Sequence, residues 1–183
     1  MTLPHTRHLD ALVATYVLKL EDVRLGIISY WYSNCDCGHE AQKFSRNASY
    51  HSASYRDYVY KAREPGRGNN SFSFDDGYER VPDYASDGNA MLGLLRLLER
   101  QQTYIEDANS FQPTTVKLYS LKLGIISRGT GDALPEAVGW ASLDMLERHA
   151  RWKGDQSFDV RRELQRLEDA YQEAINQKGV EHA

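Results

Sequence analysis

Apolar side chains recur at helical spacing in four segments of this chain. In the first segment, one apolar face runs from Leu9 to Leu20, and Pro4 stands in the first turn, where a missing backbone N–H is tolerated. The second segment follows Ser86 and Asp87, either of which is suited to cap a helix. These spacings predict helices over about 4–20 and 87–102, from 135 onward and from about 157 onward.

Strand-like patterns lie between the predicted helices. Residues 23–32 are rich in β-branched and aromatic side chains, and apolar positions alternate over 116–127, before Gly129 and Gly131, which predict a turn. From 34 to about 83 the apolar spacing disappears, which indicates a long loop or an inserted hairpin. The order of the elements predicts an α+β fold, because a doubly wound parallel sheet would alternate strands with helices.

The last predicted helix has apolar positions at alternating spacings of four and three, which is typical of a coiled-coil seam. Its members are Val160, Leu164, Leu167, Tyr171 and Ala174. Such a seam needs an apolar partner, so we expect the protein to be a homo-oligomer. The expected organisation is one domain over 1–152, with an insert at about 34–83, followed by an oligomerising C-terminal helix over 153–183.

The composition is that of a soluble globular protein, with 183 residues of which 41% are hydrophobic and 26% are charged. No apolar run approaches the roughly 20 residues of a membrane helix, and the first ten residues lack the apolar core of a signal peptide. We therefore expect a cytoplasmic protein with no membrane partner. With 22 basic and 26 acidic residues, the net charge of -4 argues against a whole surface that binds extended nucleic acid.

Three short segments together carry a resemblance to a known family. They are LDALVATYV at 9–17, VPDYASDGNA at 81–90 and LPEA at 134–137. The first resembles the opening helix of the phage ABA sandwich domain family. The second is similar to that family's Pro-x-Tyr-Ser-Thr-Asp step before an alanine-rich helix, with Ala85 and Ser86 in place of Ser-Thr. The third is similar to its Pro-Glu-Ala step. The resemblance implies a compact α/β/α sandwich and a bacteriophage or prophage origin, and it implies no activity.

One compact cluster has the side chains of a metal site. Cys35, Cys37 and His39 alternate along the chain, so in an extended conformation two thiolates and an imidazole face one side, as a tetrahedral zinc ion requires. Structural zinc sites usually space their cysteines by two to four residues and combine two such knuckles, whereas this chain has one cluster. The pattern therefore favours ordinary reduced side chains and no cofactor, with zinc as the alternative.

A basic and aromatic patch lies inside the 34–83 excursion. Over 43–67, six cations stand against two carboxylates, a net charge of +4 that leaves -8 for the rest of the chain. Rings that stack on bases, beside guanidiniums that pair with phosphates, are how nucleotides are held. The candidate ligand-binding residues are Tyr50, Tyr55, Arg56, Tyr58, Tyr60, Lys61, Arg63, Arg67 and Tyr84. In the alternative interpretation, the tyrosines only pack a two-stranded insert onto the domain.

The acidic residues give little support to an enzyme. Asp75, Asp76, Asp83 and Asp87 stand beside glycine or proline, where acidic residues mostly form turns and caps. The chain has no phosphate loop, nucleophile elbow or His-Glu-x-x-His helix. The sequence favours a non-enzymatic phage accessory protein that sequesters a small anionic nucleotide-type ligand to counter host defence. The alternatives are a protein–protein inhibitor or adaptor acting on a host enzyme and, third, a nucleotide hydrolase.

Overall fold

The structure is a computed structural model and describes residues 5–33, 41–42, 53–63 and 78–180. Its helices are α1 (His5–Leu12), α2 (Gly88–Arg100), α3 (Leu134–Trp152) and α4 (Val160–Val180), and a π-helix over Val13–Val17 continues from α1. Its strands are β1 (Glu21–Ser33), β2 (Ala41–Gln42), β3 (Ala53–Arg63), β4 (Glu79–Arg80), β5 (Thr103–Asn109), β6 (Thr114–Ser120) and β7 (Ile125–Gly131). The predicted α+β class is confirmed, because the described strands do not alternate regularly with helices.

The chain divides into two compact units. The smaller unit, Leu25–Val59, holds most of β1, all of β2 and most of β3, and within it β2 pairs antiparallel with the end of β1. The larger unit, Met1–Arg24 with Tyr60–Ala183, contains all the helices that the structure describes, together with β4 to β7.

Helix α3 is the centre of the larger unit. One of its faces packs on β6 and β7, and other faces contact α1 and the π-helix. The alternation of β6 explains the first contact, because Thr114, Val116, Leu118 and Ser120 all point inward and are buried. On the other side of α3, Gly139 allows the helix to approach Leu9 of α1 closely.

The glycines after the predicted strands do not form a turn, and that expectation is wrong. Gly129 and Gly131 lie in β7, in antiparallel register with Val116 and Thr114 of β6. A Cβ atom on Gly129 would lie 1.9 Å from the carbonyl oxygen of Ala137. Glycine is therefore required here because α3 packs directly against the β7 backbone.

The first helix ends earlier than predicted. Its apolar face is buried as expected, from Leu9 through Val17, but after Leu12 the backbone widens into the π-helix. The amide of Leu18 donates to the carbonyl of Val13 at 3.0 Å, which closes that wider turn and ends the helical segment before Leu20.

The apolar seam of α4 finds a partner within the same chain. Helix α4 packs on α1 and α3, with Val160 and Tyr171 buried and Leu164 and Leu167 half-buried. Burial of Tyr171 therefore requires no second copy, and the homo-oligomer stays a prediction. In the described part of the chain, no helix is long and apolar enough to cross a membrane.

Candidate functional site

The structure describes only part of the patch that the sequence predicts. Tyr50, Arg67 and the cluster of Cys35, Cys37 and His39 lie outside the described residues. Tyr55, Arg56 and Tyr58 lie on β3 in the smaller unit, where the structure describes their backbone. In the larger unit, Tyr60 and Tyr84 are buried, at 4% and 7% exposed. Lys61 and Arg63 extend from the end of β3 to a common neighbour.

That neighbour is Tyr78, whose ring is the centre of a cationic cluster. The guanidinium carbon of Arg24 lies 4.0 Å from the ring centroid, the ammonium of Lys61 lies 4.9 Å away and the guanidinium carbon of Arg63 lies 5.5 Å away. The Tyr78 hydroxyl donates to Asp22. We call these five residues the Tyr78 cluster.

Two neighbouring strands carry the charged residues of the Tyr78 cluster. Lys61 and Arg63 are two residues apart on β3, so they share a face of that strand. Asp22 and Arg24 lie at the start of β1, where Asp22 has a φ of 53°, outside the range of regular strands. Strands β1 and β3 are adjacent in the sheet, and β4 pairs antiparallel with β3. Tyr78, one residue before β4, is thereby placed beside the end of β3.

The Tyr78 cluster presents cations at the surface. Its five residues include three cations and one carboxylate, and Arg24 and Arg63 are exposed while the Tyr78 ring is 4% exposed. Arg24 and Lys61 also have interactions outside these five residues. The hydrogen bond to Asp22 raises the pKa of the Tyr78 hydroxyl, so this hydroxyl stays a neutral donor. No carboxylate of the described residues forms an ion pair with Arg63.

This arrangement can bind an anion. Stacking on a buried ring restricts the rotamers of long cationic side chains, so less entropy is lost when they bind a phosphate. A guanidinium also presents several N–H donors in a fixed plane, which matches the geometry of phosphate oxygens. Tyr78 and Arg24 lie outside the 43–67 window of high positive charge, which is why the sequence did not identify them.

A second polar group lies where α1 packs on α4. It consists of Tyr60, His8 and Glu168, and we call it the Tyr60 relay. His8 Nε2 donates to Glu168 Oε2 at 2.7 Å, and His8 Nδ1 lies 2.7 Å from the Tyr60 hydroxyl. His8 is 1% exposed, and its ring also contacts Tyr171 edge-on. Burial, followed by the nearby Glu168 charge, raises the pKa of Tyr60. The order of hydroxyl, imidazole and carboxylate is that of a catalytic relay, but this hydroxyl is shielded from solvent.

A third group surrounds a buried carboxylate. Asp10 is 2% exposed, and its Oδ1 accepts from the amide of Ala85 at 2.7 Å. Its Oδ2 has no hydrogen-bond partner in the described residues and lies 3.8 Å from Arg7 Nη1. Arg7 in turn pairs with Asp83, which also accepts from Arg80 at 3.1 Å. Asp83 thus links α1 to the segment before α2, as an ion-pair partner rather than a free carboxylate.

Strands β5, β6 and β7 form a three-stranded sheet, and side chains on one of its faces are exposed to solvent. Tyr104 of β5, Tyr119 of β6 and Ile126 of β7 are in register with one another, forming a row across the sheet. Tyr104 and Ile126 are 43% and 45% exposed. In the same described residues, no group of three or more His, Cys, Asp or Glu side chains is placed to hold a metal ion.

We compared the chain with protein-family models, with curated proteins and with solved structures, and none of these comparisons finds a match.

Proposed function

We propose that this protein binds and sequesters a small anionic ligand of nucleotide type, and that the Tyr78 cluster holds the phosphate groups of the ligand. One observation carries the proposal: Arg24, Lys61 and Arg63, from two different strands, converge on one buried ring. Such convergence holds several donors close together, as one compact phosphate group requires.

The charge balance favours a small ligand over a long polymer. The chain has a net charge of -4, so the cationic cluster is a local exception on an acidic protein. An extended phosphate backbone would also meet the rest of the chain, whose net charge outside residues 43–67 is -8 and repels it. A compact ligand with one or two phosphates can instead reach the three cations of the Tyr78 cluster at once.

The protonation and the hydrogen bonds of three polar side chains, Tyr60, Asp22 and Asp83, support binding of the ligand without its chemical conversion. In the Tyr60 relay, the hydroxyl has a raised pKa because it is buried, which disfavours the phenolate that a nucleophile requires. Asp22 accepts a hydrogen bond from Tyr78, and Asp83 accepts from Arg7 and Arg80. The phage origin and the role against host defence belong to the same proposal and rest on the sequence resemblance.

Calorimetric titration with three probes tests the proposal. We expect adenosine diphosphate and inorganic pyrophosphate to bind, and adenosine to bind at least about tenfold more weakly, because the phosphates supply the charge. Binding should weaken as salt is raised, since screening reduces attraction between exposed charges.

The outcomes separate the rival functions. Recovery of intact adenosine diphosphate after binding supports sequestration, whereas release of phosphate or adenosine monophosphate would move the protein to the hydrolase class. Equal affinity for adenosine and its diphosphate would contradict phosphate recognition. If no probe binds and a protein partner instead forms a complex that depends on Arg63, the adaptor hypothesis replaces sequestration.

A further inference from the structure

A groove of about 450 Å³ lies in the larger unit, beside the last turns of α3. Leu146 and Ala150 give it an apolar lining, and the rings of Tyr16 and Phe158 face it with their centroids 4.6 Å apart. A volume of this size falls within the roughly 300–1,000 Å³ of small-molecule sites. The groove shares no residue with the Tyr78 cluster.

Two unusual backbone conformations bring side chains to the groove from the segment after α1. Tyr16 belongs to the π-helix, a type of turn that is frequent at functional sites. Lys19 follows two residues after the π-helix with φ of 58°, in the left-handed region that favours glycine. Strained residues of this kind persist where the surrounding structure fixes them, and they cluster at ligand sites.

The lysines of the groove, Lys19 and Lys153, form no ion pair in the described part of the chain. His149 stacks on Trp152, at 6.2 Å between ring centroids, without a hydrogen bond from its ring nitrogens there. The side chain of Lys153 is not needed to complete the end of α3, because the backbone amides of Lys153 and Gly154 already donate to the carbonyls of His149 and Arg151.

The carboxylates of the groove are engaged. Glu163 Oε2 accepts from the Tyr16 hydroxyl at 2.7 Å and from Arg166 Nε at 3.0 Å, so its charge is paired. Asp155 accepts from the amide of Ser157 at 2.8 Å, and hydrogen bonds from Ser157 lower its pKa. Asp155 keeps its negative charge, so Lys19 and Lys153 together outnumber the one carboxylate of the groove that no cation pairs, and the excess positive charge can attract an anion.

The geometry points to a second binding site, in which this groove takes a small aromatic anion. The negative group of the ligand is attracted by Lys19 and Lys153, and its ring packs against Phe158 and the apolar lining from α3. A carboxylate and a phosphate can both supply this negative group. Because its residues differ from those of the Tyr78 cluster, this site can be tested independently of the proposed function.

Calorimetric titration of the full chain with simple probes tests this site. Benzoate represents the carboxylate arm and phenyl phosphate the phosphate arm, while benzamide lacks the charge and acetate lacks the ring. We expect at least one aromatic anion to bind about tenfold more tightly than both benzamide and acetate. Trp152 provides an optical signal, because it is 77% exposed and stacks on His149 at the groove.

Matched lysine variants locate the binding. Lys19→Gln and Lys153→Gln should each weaken the aromatic anion by about three- to tenfold. Lys122→Gln, which removes an exposed lysine between β6 and β7, and Arg63→Gln in the Tyr78 cluster should leave its affinity unchanged within twofold.

Several results would overturn the site. They are the absence of saturable binding by either aromatic anion, equal affinity for benzoate and benzamide, or loss of affinity in Arg63→Gln but not in the two groove variants. Thermal melts should coincide for all four variants, so a change in affinity cannot be attributed to unfolding.

Discussion

Replacing Asp10 by asparagine should remove a pH dependence from the stability of the fold. Burial raises the pKa of Asp10 from its ordinary value of 3.8 to about 7, because the carboxylate is removed from water and the amide of Ala85 and the charges of Arg7 and Arg80 offset this only in part. The folded protein therefore holds this proton more tightly than the unfolded chain does. The stability that the proton contributes is present at low pH and is lost as the pH rises from about 4 through about 7.

The magnitude follows from the two pKa values. With the pKa at 3.8 in the unfolded chain and about 7 in the folded protein, this one group removes about 3 kcal/mol of stability between pH 5 and pH 8. Asp10→Asn keeps a side-chain oxygen to accept from the amide of Ala85 at the position of Oδ1 and cannot ionise. The difference in unfolding free energy between wild type and variant should therefore change by about 3 kcal/mol across this range, in favour of the variant at high pH.

Urea unfolding at intervals from pH 5 to pH 8 measures this difference. Glu106→Gln is the matched control, because it removes an exposed carboxylate from β5 and should leave the pH profile parallel to that of the wild type. A profile of Asp10→Asn that also runs parallel to the wild type would refute the reasoning, since it would mean that Asp10 is ionised in the fold throughout this range.

Three further substitutions test the fold by urea or thermal unfolding. Asp87→Ala removes the side chain that accepts from the amide of Asn89 at the start of α2, and should cost about 1 kcal/mol. Gly129→Ala places a methyl group against the Ala137 carbonyl and should cost about 3 kcal/mol or more; a loss below about 1 kcal/mol would show that α3 can move away from β7. His8→Leu leaves the buried Tyr60 hydroxyl without its hydrogen bond and the half-buried Glu168 without its contact to the imidazole, and should cost about 1–3 kcal/mol; a neutral result would mean that the Tyr60 relay contributes no stability.

The sequence predicts well the elements whose local signals agree with their burial. The second helix is an example, because its capping residue Asp87 and its apolar positions Met91, Leu94 and Leu98 are all used as the pattern indicates. Strand β5 has no such signal. Only Thr103, its first residue, is buried, so no alternation of apolar and polar positions is present to reveal it.

Contacts between distant segments explain what the sequence could not predict at the site. Arg24 is 54 residues from Tyr78 along the chain and is brought to it only when β1 pairs with β3. Tyr60 has the composition of a ligand contact, but the strand turns it toward His8, where it is buried. A count of rings and cations along the chain does not show which face of a strand each one occupies, so it grouped Tyr60 with Lys61 and Arg63.

The central claim is that the Tyr78 cluster binds phosphate, and Arg63 tests it most directly. Arg63→Gln removes an exposed guanidinium held at the Tyr78 ring, and Arg96→Gln removes an exposed guanidinium from α2 as the matched control. Each affinity for adenosine diphosphate is measured by calorimetric titration. The loss of a charge-assisted contact of about 1.5–3 kcal/mol predicts a ten- to hundredfold weaker affinity for Arg63→Gln and no change for Arg96→Gln. Equal affinity in the wild type and Arg63→Gln, or an equal loss in both variants, would contradict the account.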